Sequence, residues 1–68
     1  MQQVVMSIGG MHCQGCVKTL TGILSAVPGV ERAEVALEAG LATIVFDPEM
    51  ADVAMFRQAI EDAGFDVL

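Results

Sequence analysis

Hydrophobic and polar residues follow two rhythms along the chain. Val4, Met6 and Ile8 alternate with Gln3, Val5 and Ser7, the two-residue period of a strand that buries one face. Gly9-Gly10 ends that run. From about Gln14 to Ala26 the spacing lengthens, and Cys16, Leu20, Ile23, Leu24 and Val27 line one stripe of a helix. Pro28-Gly29 stops it, because the residue before proline avoids helical angles and glycine accepts the turn. Val30, Ala33, Val35 and Leu37 then predict a second strand, with an irregularity between Val30 and Ala33 where the alternation slips. Glu38-Ala39-Gly40 is a short hairpin connection. Leu41 to Phe46 reads as a third strand with Ala42, Ile44 and Phe46 inward, closed by Asp47-Pro48. Asp52 is placed to cap a second helix in which Val53, Phe56, Ile60 and Ala63 recur every three or four residues. Gly64 is its expected stop, and Phe65 to Leu68 is expected to form a short last strand.

The predicted order is β-α-β-β-α-β. Right-handed crossovers and a central hairpin make the economical packing a four-stranded antiparallel sheet with two helices on one face, the ferredoxin-like α+β sandwich. Sixty-eight residues without repeats, linkers or low-complexity segments are expected to form one domain spanning 1–68. Chains this short are expected to expose about 4,000 Å² when folded.

Charge narrows the partners. Three Lys and Arg against nine Asp and Glu give a net charge of −6, which argues against nucleic acid, whose phosphates need clustered cations, and against docking on an anionic membrane. With 54% hydrophobic residues the chain is not expected to be disordered. No apolar run nears the ~18–20 residues needed to span a bilayer. Residues 1–8 lack the basic start and long apolar stretch of a signal peptide. Two cysteines only three positions apart, Cys13 and Cys16, cannot staple a fold, so a reducing, cytoplasmic setting is expected.

The chemistry is concentrated in Gly9-Gly10-Met11-His12-Cys13-Gln14-Gly15-Cys16, between the end of a strand and the start of a helix. Cys13 is expected in the loop and Cys16 in the first helical turn, where the helix N-terminus favours thiolate over thiol. Glycines at 9, 10 and 15 are expected to permit unusual backbone angles and keep the surface open. Two converging, partly exposed thiolates make a soft site of low coordination. Zn(II) in a closed structural site wants four ligands, Mg(II) and Ca(II) want oxygen cages, and an iron–sulfur cluster usually needs four thiolates. Cu(I) is soft and accepts two sulfurs, and Hg(II) has the same preference. A bare CxxC also serves thiol–disulfide exchange, although this chain is too short for a thioredoxin fold.

In its context the motif is more specific. Gly10-Met11-His12-Cys13-Gln14-Gly15-Cys16 fits a Gly-Met-x-Cys-x-x-Cys pattern, and Val27-Pro28-Gly29-Val30 and Ala63-Gly64-Phe65 supply further landmarks. Over essentially its whole length the chain resembles the heavy-metal-associated domain family, which includes small soluble bacterial-type copper chaperones and the N-terminal domains of copper-transporting P-type ATPases. The resemblance implies a carrier, not an enzyme: Cu(I) bound by Cys13 and Cys16 and passed by thiolate exchange to the metal-binding domain of such an ATPase. Zn(II), Cd(II) or Hg(II) on the same ligands is the alternative cargo. The chain is expected to be a standalone chaperone, monomeric without metal, and its exposed loop permits a metal-bridged dimer.

The neighbouring residues have plainer roles available. His12 is expected to face solvent, with a third-ligand or proton-donor role as the alternative. Met11 reads as a core anchor beneath the loop more readily than as a thioether ligand, as the family resemblance also implies. Lys18 is either solvated or offsets the negative charge of a Cu(I)-dithiolate. Phe65 is expected to pack near the loop and shield it. The acidic surface serves solubility or complements a basic patch on a receiving domain.

Overall fold

A computed structural model describes every residue from Met1 to Leu68. The chain runs through β1 (Gln2–Gly9), α1 (Gln14–Ser25), β2 (Val30–Ala36), β3 (Leu41–Phe46), α2 (Val53–Asp62) and β4 (Asp66–Val67). The strands form one sheet in the order β2-β3-β1-β4, antiparallel at every pairing. Met6 and Ile8 of β1, Ala33 of β2 and Ala42, Ile44 and Phe46 of β3 are buried together with Leu20 and Leu24 of α1 and Phe56 and Ile60 of α2. Because strand residues two apart share a face, both helices cover the same side of the sheet. This is the ferredoxin-like sandwich expected from the element order. The Phe46 and Phe56 rings meet edge to face at 4.9 Å, joining sheet to helix within the core. The folded chain exposes 4002 Å², close to the area expected from its mass.

The irregularity in β2 is a bulge. Val30 pairs with Phe46 while Arg32 pairs with Val45, so Glu31 is the extra residue. That extra residue lets Val30 and Ala33, three apart, both face the core. Glycine is required at position 29, where φ is +94° and an added Cβ would lie 2.7 Å from Met50 Cβ. The Gly29 carbonyl accepts the Asp47 amide at 2.7 Å, which ties the turn before β2 to the end of β3. Asp52 caps α2 as expected, its carboxylate accepting the Met55 amide at 3.0 Å.

Three expectations need correction. Leu37 lies outside β2, because the hairpin turn already begins there and the Gly40 amide returns to the Ala36 carbonyl at 2.9 Å. Val53 is 37% exposed; as the first residue of α2 its side chain leans toward the helix start and past the packed layer. The last strand is only Asp66–Val67. Phe65 is instead engaged in ending α2, its amide reaching the Ile60 carbonyl at 3.2 Å while the Gly64 amide reaches Glu61 at 3.0 Å. This Schellman arrangement uses the positive φ of Gly64, +94°.

The register places the loop between β1 and α1. Gly9 pairs with Asp66 and Ile8 with Val67, and the Ile8 amide donates to Gly40 at 2.7 Å. The loop of residues 10–13, the β2–β3 hairpin and the start of β4 therefore share one end of the sheet, and Gln2 and Gly29 mark the other.

Candidate metal centre

Cys13 is the N-cap of α1. Its backbone is extended (φ −157°, ψ 169°), and its carbonyl accepts the amides of Cys16 at 3.1 Å and Val17 at 3.4 Å. Its side chain makes no capping hydrogen bond, as expected for sulfur, a weak acceptor. Cys16 follows in the first turn, and its sulfur lies 3.4 Å from that of Cys13. Both thiols are free, Cys13 exposed and Cys16 half-buried. The helical turn brings the sulfurs together, and the extended backbone at Cys13 turns its side chain outward.

The two thiols differ electrostatically. Cys16 is held below its ordinary pKa, first by hydrogen bonding from the backbone at His12, then by the Cys13 thiol, with smaller help from the backbone at Cys13 and Cys16. Desolvation opposes these effects in part. Polar backbone groups around a helix start thus favour the thiolate there.

Met11 is half-buried and packs on the core, and His12 is exposed in the loop. Lys18 is exposed on α1 and forms no ion pair; the sole salt bridge joins Arg32 and Glu34. Phe65 also packs on the core, and its Cδ1 lies 3.8 Å from where a Gly10 side chain would begin. The ring therefore backs the loop. Only Gly10 among the three loop glycines has a positive φ, +90°. The expectation of unusual angles at Gly9 and Gly15 is corrected: Gly9 is paired in β1, and Gly15 is in α1.

No three His, Cys, Asp or Glu side chains cluster anywhere in the molecule, so one chain does not supply the four ligands of a closed zinc site. A shallow groove between the helices, lined by Ile23, Val27, Pro28, Ala59 and Asp62 among others, contains neither cysteine. The sulfur pair is the one arrangement suited to a soft ion. Two features escaped sequence reasoning, namely the unequal exposure of the two cysteines and the proximity of Gly15 to the Cys13 sulfur. The Thr19 hydroxyl also donates to the Gly15 carbonyl at 2.9 Å, a contact for which Thr four residues after Gly was the only sequence signal.

A small α+β sandwich presenting paired thiols at one end is the architecture of a heavy-metal-associated domain, and residues 5–66 match the profile of that family. The chain belongs to the heavy-metal-associated domain family. It is 39% identical over 67 residues to the copper chaperone CopZ of Bacillus subtilis, an alignment covering 98% of this chain and 97% of that protein. It is 42% identical over 67 residues to copper-transporting ATPase 1 of Rattus norvegicus, matching 98% of this chain but 4% of that much longer protein. A solved CopZ metallochaperone superposes with a TM-score of 0.97 at 33% identity, covering 98% of this chain and 100% of the other. No helix of the chain is long and apolar enough to cross a membrane.

Proposed function

We propose that this chain is a cytoplasmic Cu(I) carrier that holds one ion between Cys13 and Cys16 and delivers it to the metal-binding domain of a copper-transporting P-type ATPase. The observation that carries this reading is the sulfur pair, 3.4 Å apart at an exposed helix start. Similarity to CopZ along nearly the full length of both chains and to one segment of a copper ATPase supports the donor and the receiver in turn.

The transfer is ligand exchange. A thiolate of the receiver adds to the two-coordinate ion, giving a three-sulfur intermediate. One donor sulfur then departs and takes up a proton, and repetition moves the ion across with no change in its oxidation state. Cys13, the more exposed of the two, is the sulfur that yields first, and Cys16, half-buried, holds the ion longer. Met11 and Phe65 support the loop from the core side. His12 and Lys18 stay in solvent, outside the ligand set. No covalent change befalls the cargo, so the protein is a carrier rather than an enzyme.

Competition with a Cu(I) chelator tests this. One Cu(I) per chain is expected, and Cys13→Ser or Cys16→Ser should weaken affinity by at least about a hundredfold. Unchanged affinity in both variants, or stronger competition by Zn(II), Cd(II) or Hg(II) in parallel titrations, would overturn the reading. So would robust turnover in an insulin-reduction assay.

A further inference from the structure

Gly15 is the second residue of α1, and alanine is the better helix former. Usual reasons for a glycine are missing. Its φ is not positive, and a Cβ added there would meet no core residue. The one atom within 4 Å of an added Cβ, apart from the local chain, is Cys13 Sγ at 3.6 Å. Helical side chains lean toward the helix N-terminus, so anything larger at position 15 extends back over that sulfur. Cys13 is exposed and makes no capping bond, so its accessibility depends on what its neighbours cover.

We propose that Gly15 is a positioning residue for exchange: the missing side chain keeps the Cys13 sulfur open to an incoming thiolate. Its size sets the rate at which the ion is handed on and leaves the affinity for that ion nearly unchanged. This rests on reading the cysteine pair as a thiolate-exchange site. The exposed Gly22 on the same helix meets nothing within 4 Å, which makes it the internal control.

The primary test needs no metal. Iodoacetamide reacts with a thiolate, forming a sulfur–carbon bond and releasing iodide, and peptide mapping reads each cysteine separately. In the metal-free protein, Gly15→Leu should slow alkylation of Cys13 by about fivefold or more and Gly15→Ala by about twofold, with Cys16 changed less than about twofold. Gly22→Ala should leave both rates unchanged, and urea midpoints should stay equal or rise in all three variants. Loaded with Cu(I), Gly15→Leu should pass the ion more slowly to an isotopically labelled wild-type copy of this chain, with chelator-competition affinity kept within about threefold. Wild-type Cys13 reactivity in Gly15→Leu, or equal slowing of both cysteines, would overturn the proposal. A wild-type protein that fails to bind Cu(I) would instead remove the carrier function, and the alkylation ratio would still decide whether Gly15 governs access.

Discussion

The two sulfurs are chemically identical in sequence and inequivalent in the folded chain. Cys16 receives hydrogen bonds from backbone groups that only a completed helix start assembles, so its thiol ionises more readily than that of an ordinary cysteine. Alkylation reads this directly, because the thiolate is the nucleophile and its rate rises as pH passes the pKa. The midpoint of the pH–rate profile at Cys16 should therefore lie lower in the folded protein than in the urea-unfolded chain. Coincident midpoints would refute the assignment. The linkage has a definite sign: with the folded value depressed, this thiol stabilises the fold above its unfolded pKa, and that contribution disappears as pH falls through the folded one. Metal loading follows the same direction, since protons compete for both sulfurs as pH drops.

At the scale of elements, the two helices begin in opposite ways. Asp52 caps α2 through its carboxylate, whereas the Cys13 side chain leaves the start of α1 uncapped. Asp52→Ala should lower stability by about 1 kcal/mol in urea denaturation. Cys13→Ser should do the reverse. Its backbone is already extended as an N-cap requires, and a serine oxygen can accept the amide hydrogen bond that sulfur forgoes, raising stability by up to about 1 kcal/mol. A variant that loses the metal while gaining stability would separate binding from folding. Both helix starts were legible in sequence, because Asp52 precedes a clean apolar stripe and the CxxC follows paired glycines. The missing cap was not, since a cysteine in that position discloses nothing about where its sulfur points.

Across the whole molecule, the turn before β2 lies at the end of the sheet opposite the cysteines, and its restraint is steric. Gly29→Ala would force a side chain into a positive φ and against Met50, costing about 2 kcal/mol or more. Cu(I) stoichiometry per folded molecule should stay unchanged. A fall in stoichiometry without loss of fold would show the two ends to be coupled. The sheet order explains the separation: β1 runs between them, with Gln2 paired to Phe46 at one end and Gly9 paired to Asp66 at the other.

Periodicity and punctuation in the chain determined the six elements, their order, the inward residues of β1 and β3, the bulge before Ala33 and the cysteine pair at the start of α1. Those features depend on neighbours a few positions apart, so local spacing carries them. Tertiary structure decided what depends on segments distant in sequence: that the last strand shortens to two residues, that Val53 stays outside the core, and that one cysteine is exposed while the other is half-buried. Exposure and hydrogen bonding are set by which surfaces meet after the sheet closes, and no pattern along a single strand or helix contains that information.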